Sequence, residues 1–335
     1  MNTNARGALF ALAGFAAFAT HDAIIKSLGQ SYSVFQILFF VVLFGFPLTT
    51  VLLIRDSQPG TLWPRYPGWV FLRTGLAIVT GFSAFYAFTA LPLAEVYAIL
   101  FAQPLLITAF AVPFLGEKVG PRRAVAVLVG LVGVIVVLQP GSIELTPGHA
   151  AALFAATAGS FVSLILRKIG GEERSVVLIV YPLMGNFVAM AAILPFVYVP
   201  MPVADLGLFA AVALLSFVGM LLMIGGYRAA SAGTIAPMQY SQIIWAALFG
   251  ALFFDEVPSV STAIGVAIII ASGVYIVARE ERGTTSLRRP VTSSRTIRGD
   301  TAAAPRAGDF IRLDAETAAK DSAEHGQTPL RSPDE

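Results

Sequence analysis

The sequence predicts an all-α integral membrane protein with ten transmembrane helices, and three observations carry that prediction. First, 56% of the 335 residues are hydrophobic and 13% are charged, whereas about 25% of the residues of an average soluble domain are charged. Second, the apolar stretches are long and uninterrupted, as helices that cross a bilayer require. Third, two distant segments share one pattern, which indicates a duplicated membrane unit.

The apolar stretches divide into ten predicted spans, and the glycines, prolines and charges concentrate in the connections between them. The spans cover residues 7–27, 34–54, 67–90, 93–115, 122–138, 147–166, 175–198, 205–228, 232–254 and 259–278. The first span follows Arg6 and contains Ala17-Phe18-Ala19, features that a cleaved signal peptide would also show. We interpret it as a membrane helix, because its removal would break the pairing of the two halves.

The shared pattern indicates that one unit occurs twice. Residues 88–119 and 227–258 align without a gap at an offset of 139 residues (242 − 103), which places Gln103 on Gln242. Each copy is an apolar run with small residues at its start and an acidic residue at its end. Since a polar side chain inside a membrane span needs a reason, its recurrence at a fixed offset predicts two versions of one five-helix unit.

Basic residues predict the orientation of the chain. If the N-terminus is inside, the outer connections hold only Lys26, and the other basic residues near the spans lie on the inner side. Short loops rich in Lys and Arg stay in the cytoplasm. We therefore expect a multi-pass protein of the bacterial inner membrane with both termini cytoplasmic.

The same charges predict that the two units are inverted repeats, residues 7–140 and 147–280. Each unit has five spans, an odd number, so the second enters the membrane from the opposite side. Accordingly, the connection after Glu117 is basic, whereas its counterpart after Glu256 has no basic residue. Inverted repeats are a signature of secondary transporters, whose substrate site lies near the bilayer midplane between the halves.

Residues 283–335 form a region of different composition, in which Ser, Thr, Pro, Arg, Asp and Glu dominate. Such a segment buries too little apolar surface to offset the entropy of ordering. We expect a disordered cytoplasmic tail, and contact of its arginines with anionic lipid is an open alternative.

Ionisable residues in the first span are candidates for gating or coupling, because a charge at a helix centre costs about 2.5–3.5 kcal/mol on insertion scales. Asp22 and Lys26 are four residues apart and lie on one face of a helix. They predict either a gate or coupling-ion pair that faces a cavity, or a mutually neutralised pair near the interface. His21 is either a proton relay or a hydrogen-bonded interfacial histidine.

Gln103 and Gln242 are the first candidates for substrate binding, because each lies near the middle of its repeated helix. An amide offers donors and an acceptor without a charge, which suits a neutral or zwitterionic solute; the alternative is an interhelical hydrogen bond. Aromatic walls with a few amides form pockets for planar ligands, or else the aromatic rings only fill the core. The further candidates for this pocket are Gln239, Tyr240, Trp245, Tyr97, Tyr86 and Asn186.

Other residues carry structural expectations. Pro104 and Pro237 each remove a backbone hydrogen bond and permit a bend in the repeated helices. We expect Arg73 to anchor at the cytoplasmic face by extending toward the headgroups, and Glu117 to pair with Lys118.

Several short motifs, taken together, resemble a known family. They are Leu72-Arg73-Thr74-Gly75, Leu115-Gly116-Glu117-Lys118, Leu138-Gln139-Pro140, Phe253-Phe254-Asp255-Glu256-Val257-Pro258, Thr20-His21-Asp22-Ala23, Lys26-Ser27-Leu28-Gly29 and Ala236-Pro237-Met238-Gln239-Tyr240. With the five-plus-five pattern, they make residues 7–278 resemble the drug/metabolite transporter superfamily of the EamA type, and most of all its bacterial subgroup of riboflavin and S-adenosylmethionine transporters. The resemblance implies alternating-access transport of a small organic solute without ATP.

We therefore expect a secondary transporter rather than an enzyme, with uptake of a riboflavin-like heteroaromatic as the first substrate. Export of an amino acid, drug or metabolite, and transport of S-adenosylmethionine, are alternatives; an intramembrane enzyme is a remote one. The sequence has no Walker, zinc-protease or nucleophile-elbow motif, so we expect no catalytic residue, no cofactor and no metal. The expected partners are the solute and the lipid bilayer, with a homodimer left open and no nucleic acid.

Overall fold

The computed structural model describes residues 3–53, 62–117, 120–140, 144–170, 172–230 and 232–282. These residues form helices with no β-strand among them, so the all-helical prediction is confirmed. The helices are α1 (Thr3–Leu28), α2 (Val34–Leu53), α3 (Pro67–Ala90), α4 (Leu93–Leu100), α5 (Ala102–Leu115), α6 (Pro121–Leu138), α7 (Pro147–Ile169), α8 (Ser175–Val197), α9 (Val203–Ala229), α10 (Ala232–Ile235), α11 (Ser241–Phe253) and α12 (Val260–Arg282), with a 3-10 helix at Ala236–Tyr240. The predicted tail, residues 283–335, lies outside the described residues.

The helix lengths identify a multi-pass membrane protein. Within the described residues, seven helical segments are long and apolar enough to cross a bilayer, if α4 and α5 count as one, and two shorter apolar segments cover Val34–Thr50 and Val260–Ile276. The remaining predicted span, residues 232–254, corresponds to α10, the 3-10 helix and α11. The count of ten membrane crossings stays a prediction.

The fourth and ninth predicted spans are interrupted rather than continuous. Helices α4 and α5 lie on either side of Phe101, because Pro104 has no backbone N–H to donate to the Leu100 carbonyl. In the ninth span, a 3-10 helix with Pro237 in its first turn ends at Tyr240. The two breaks are 139 residues apart (240 − 101), which is the offset of the repeated pattern.

Helices α5 and α11 also end in the same way. Gly116 and Asp255 both have left-handed backbone conformations, with φ angles of 67° and 52°. The backbone N–H of the following residue then donates to the carbonyl six residues earlier, at 3.3 Å from Glu117 and 2.9 Å from Glu256. This Schellman ending is favoured by glycine and tolerated by aspartate, and it holds the two glutamates in equivalent positions.

Small residues let α6 and α12 cross closely. A Cβ added to Gly265 would lie 2.6 Å from the carbonyl oxygen of Gly133, and Ser272 Oγ donates a hydrogen bond to the carbonyl of Ala126 at 2.5 Å. The pairs Ala126–Gly265 and Gly133–Ser272 are each 139 residues apart (265 − 126 and 272 − 133). The two contacts are therefore equivalent under the repeat, as contacts about a two-fold axis are.

Apolar side chains cover the outside of the bundle. On α6, Val125, Leu128, Val132 and Ile135 are between 52% and 62% exposed. Their spacing of three and four residues places them on one face of the helix. An apolar stripe of this kind is the surface that a helix presents to lipid.

Candidate functional site

Four of the predicted site residues meet in one buried cluster, which we term the polar centre: His21, Asp22, Tyr97 and Gln242. His21 Nδ1 and Asp22 Oδ1 are 2.7 Å apart, and the Tyr97 hydroxyl donates a hydrogen bond to Asp22 Oδ2. Gln242 Nε2 donates to the Tyr97 hydroxyl oxygen at 3.4 Å. Each residue is at most 3% exposed. Helices α1, α4 and α11 bring these residues together across the sequence.

Asp22 gives the polar centre its chemistry. Its two oxygens face different partners, the imidazole of His21 and the hydroxyl of Tyr97. Ionisable groups inside a membrane protein are costly and mark proton or substrate pathways. A carboxyl group beside an imidazole can hold a proton on either group, so this cluster can bind a proton as well as a polar group of a solute.

An aromatic row connects the polar centre to the second interrupted helix. The ring of Tyr97 contacts that of Phe101 at 6.0 Å between centroids, and Phe101 contacts Tyr240 edge to face at 5.2 Å. Phe101 and Tyr240 are equivalent positions of the repeated pattern. The Tyr240 hydroxyl lies directly against Gly273 of α12, where any Cβ would overlap it.

Gln103 does not join the polar centre, although it is the counterpart of Gln242. Its amide lies on α7, where a Cβ added to Gly159 would be 3.1 Å from Gln103 Nε2. Ser160 Oγ donates a hydrogen bond to the Gln103 carbonyl at 3.2 Å. The half-buried Gln103 thus contacts the second half of the chain, and an equal role for the two glutamines stays a prediction.

The flanking candidates are half-buried. Gln239 lies in the 3-10 helix beside Tyr240. Trp245 stacks on Phe249 of the same helix at 6.1 Å, which aligns with its predicted face. Tyr86 of α3 stacks on Phe82 at 6.3 Å. These rings form a wall of the bundle interior, and their contact with a ligand stays a prediction.

Asn186 lies near the middle of α8 and is fully buried. Neither its amide oxygen nor its amide nitrogen has a hydrogen-bond partner among the described residues, and the same holds for the hydroxyl of Thr74 on α3. The two helices are close here, since a Cβ added to Gly185 would lie 2.5 Å from Thr74 Cγ2. Buried polar atoms are paired in most proteins, so Asn186 keeps its place as a candidate for solute contact.

Asp22 and Lys26 were expected to face each other, and the structure gives them different partners. Lys26 Nζ lies 2.6 Å from Glu256 Oε1 and donates to the Leu91 carbonyl at 2.5 Å. Glu256 Oε2 also accepts a hydrogen bond from the backbone N–H of Leu93 at 3.1 Å. Lys26 therefore belongs to one end of the bundle, which we term the Lys26 end, and Asp22 belongs to the polar centre.

The opposite end of the bundle carries a second ion pair, and we term it the Arg167 end. Arg167 Nη2 of α7 lies 2.5 Å from Glu117 Oε1. The expected partner of Glu117, Lys118, lies outside the described residues. Sequence reasoning did not pair the two glutamates with Lys26 and Arg167, although both cations lie two residues before the end of their helices.

Arg73 is not the interfacial anchor that the sequence suggested. It is 3% exposed, and its Nη1 donates a hydrogen bond to the carbonyl of Leu178 on α8 at 2.6 Å. The guanidinium has five donors and satisfies backbone carbonyls better than an ammonium does. The packing of α3 against α8 therefore buries Arg73 instead of leaving it at the surface.

A cavity of about 310 Å³ opens at the Lys26 end, between the start of α4, the end of α6 and the connection from α11 to α12. Glu95, Gln139 and Glu256 contribute its polar lining. Glu95 Oε1 lies 2.8 Å from His149 Nε2 of α7. The position of this cavity suits a vestibule through which a solute approaches the bundle interior.

A tyrosine also closes the connection between α1 and α2. The Tyr32 hydroxyl donates a hydrogen bond to the Asp205 carboxylate in the first turn of α9. This bond raises the pKa of Tyr32 to about 12. The hydroxyl therefore stays protonated, and stays a donor, throughout the neutral pH range.

The fold and the site together define a class of protein. Long apolar helices enclose a buried polar centre, and two helices are interrupted beside it. Interrupted helices around a polar site in mid-membrane are the architecture of secondary transporters.

The chain belongs to the EamA-like transporter family, whose model matches residues 5–139 and 146–278. It is therefore a membrane transporter of small molecules, and the expected membership of the drug/metabolite transporter superfamily is confirmed. Nothing among these findings bears on enzymatic activity.

Curated relatives span most of the chain. It is 25% identical over 283 residues to the pseudopaline exporter CntI of Pseudomonas aeruginosa, covering 83% of this chain and 97% of that one. It is 30% identical over 230 residues to a riboflavin transporter of Rhizobium johnstonii, covering 65% and 72%. It is 23% identical over 265 residues to an S-adenosylmethionine uptake transporter of Rickettsia bellii, covering 79% and 90%. A crystal structure 21% identical in sequence superimposes with a TM-score of 0.55 over 83% of this chain and 99% of its own, and so shares the fold.

Proposed function

We propose that this protein is a secondary transporter that works by alternating access between two inverted five-helix repeats, residues 7–140 and 147–280. The equal offsets of the helix breaks and of the Schellman endings support the repeat. The reciprocal contacts between α6 and α12 support a two-fold relation between the halves. In this proposal ten helices cross the inner membrane, and both termini and the disordered tail are cytoplasmic.

The buried polar centre is the observation that carries the proposal. A transporter needs a site that is closed to both sides, polar enough to replace the hydration of a solute, and placed where the halves meet. The polar centre lies beside the contact between Phe101 and Tyr240, which are equivalent residues of the two repeats. It therefore has the position that alternating access requires.

We propose a planar heteroaromatic solute such as riboflavin as the substrate. The row from Tyr97 to Tyr240 presents ring faces and edges, and Gln242 adds an amide that can pair with ring nitrogens or carbonyls. The similarity to a riboflavin transporter supports this choice.

Two alternatives have support from the relatives. The similarity to S-adenosylmethionine uptake transporters favours another heteroaromatic solute, which is cationic. The similarity to the pseudopaline exporter favours outward transport of a metabolite. The polar centre accommodates either direction, because alternating access is reversible and the driving gradient sets the direction.

Uptake into proteoliposomes tests the proposal. Purified protein would be reconstituted and offered radiolabelled riboflavin, S-adenosylmethionine and aromatic amino acids one at a time. We expect riboflavin to accumulate above protein-free vesicles, and Gln242→Ala to lower its initial rate by about tenfold, since the loss of one buried hydrogen bond to a solute costs about 1.4 kcal/mol.

Tyr275→Phe is the control, because this tyrosine is 45% exposed on α12 and lies outside the proposed site. Accumulation of only one of the other solutes would transfer the proposal to that substrate. Uptake of none of them, with preloaded vesicles equally inert, would contradict the heteroaromatic assignment.

A further inference from the structure

Two ion pairs of similar geometry close opposite ends of the bundle. Lys26 Nζ lies 2.6 Å from Glu256 Oε1, with side chains 9% and 20% exposed. Arg167 Nη2 lies 2.5 Å from Glu117 Oε1, with side chains 19% and 21% exposed. Both pairs are therefore largely shielded from water, where a charge pair is stronger than on an open surface.

The two pairs are counterparts under the repeat. Glu117 and Glu256 are 139 residues apart (256 − 117) and follow identical helix endings. Lys26 and Arg167 each lie two residues before the last residue of α1 and of α7, which are Leu28 and Ile169. In each pair the cation comes from the first helix of one half and the anion from the other half, so each pair joins the two halves.

We propose that these ion pairs are the two gates of the transport cycle, and that one must break for the protein to open at that end. This inference rests on the proposed alternating-access function. The Lys26–Glu256 pair is formed at the same time as the Arg167–Glu117 pair, so the structure corresponds to a state closed at both ends. Opening at one end leaves the pair at the other end intact, which holds that end closed.

The backbone around the Lys26 end strengthens the closure. Lys26 also donates to the Leu91 carbonyl, and Glu256 also accepts from the Leu93 N–H. A single ion pair thus ties the end of α1, the connection from α3 to α4 and the connection from α11 to α12. Lys26 Nζ also lies 5.4 Å from the ring centroid of Phe254, a cation–π contact. Separation of these three connections would open a path to the polar centre.

Cysteine accessibility tests the inference, because the natural chain contains no cysteine. A reporter cysteine in mid-bundle, Gln242→Cys, would be labelled with a membrane-impermeant thiol reagent from either face, in right-side-out and in inverted vesicles. Asn186→Cys, in the middle of α8, is a second reporter in case the first does not insert. The readout needs no substrate, so it stays informative if the proposed solute is wrong.

Neutral substitutions would weaken each gate without a change of size. Glu256→Gln removes the anion at the Lys26 end, and Asp255→Asn is its matched control, since that residue is exposed and Asn tolerates its left-handed backbone. Glu117→Gln removes the anion at the Arg167 end. Its control is Glu172→Gln, because the Glu172 side chain is 55% exposed and contributes little through its charge.

We expect the two gate variants to shift labelling in opposite directions. Glu256→Gln should raise the rate from one face by about fivefold and lower it from the other, and Glu117→Gln should do the reverse; fivefold corresponds to about 1 kcal/mol. Both controls should behave as the parent reporter does. Equal rates for each gate variant and its control, or a shift of both gate variants toward the same face, would overturn the gates while alternating access survives. Labelling from one face only in the parent and every variant would overturn alternating access and the gates with it.

Discussion

At the scale of single residues, the polar centre explains why four costly side chains persist inside an apolar bundle. Asp22 is fully buried, yet both of its oxygens have hydrogen-bonding partners. Because ionisation of such a group responds to which side of the membrane it meets, Asp22 can couple solute movement to protons.

Asp22→Asn tests that coupling. The amide keeps an acceptor for the Tyr97 hydroxyl but cannot ionise. We expect accumulation of riboflavin driven by an imposed pH gradient to disappear, while exchange between equal concentrations inside and outside continues, because exchange needs no net proton movement. Asp255→Asn, an exposed position, is the control. Gradient-driven accumulation by Asp22→Asn at the rate of the natural protein would exclude Asp22 as the coupling residue.

The sequence identified most members of the polar centre but not their contacts. Asp22, His21 and Gln242 stand out because polar residues in apolar spans are rare. Their grouping with Tyr97 depends on how α1, α4 and α11 pack, which spacing along one helix cannot reveal. The pairing of Lys26 with Glu256 was missed for the same reason, since a partner four residues away in sequence competes with one that only the fold brings near.

At the scale of helices, small residues decide how closely the halves approach. Gly133 and Gly265 place α6 and α12 in backbone contact, and no side chain fits between them. Hydrophobic spans alone predict where these helices begin and end, because bilayer thickness sets their length. They do not predict which pairs touch, since lipid and protein interior are equally apolar.

Gly265→Ala should therefore destabilise the bundle. The added Cβ would lie 2.6 Å from the Gly133 carbonyl oxygen, so α6 and α12 must separate, at a cost of about 1–3 kcal/mol. We expect a lower temperature of thermal unfolding in detergent. Gly75→Ala is the matched control, because nothing lies within 4 Å of its added Cβ and alanine favours a helix. An unfolding temperature for Gly265→Ala as high as for the control would contradict the close crossing.

Interruption of two helices was only partly foreseeable. Pro104 and Pro237 indicate that the repeated helices can bend, but a bend, a static kink and a full break are alike in sequence. The break at Phe101 leaves room for its ring against Tyr240, and that contact depends on both halves being in place. The position of the break is thus a property of the assembled bundle.

At the scale of the whole molecule, the inverted repeat is the premise from which the site and the gates follow. An odd number of spans per half forces the second half to enter from the other side, and the charge difference between the connections after Glu117 and after Glu256 agrees with that. Equivalent turns of the two halves must then face different compartments.

Gly120→Cys and Ser259→Cys provide the decisive pair of sites, because both residues are exposed and they are 139 residues apart (259 − 120). A cysteine at Gly120 meets no atom within 4 Å, so it should not disturb the turn before α6. We expect an impermeant thiol reagent to label Ser259→Cys from outside intact cells and Gly120→Cys only in inverted vesicles. Labelling of both from one face would mean that the halves are parallel, in which case Glu117 and Glu256 could not guard opposite ends and the polar centre would lose its place between inverted halves.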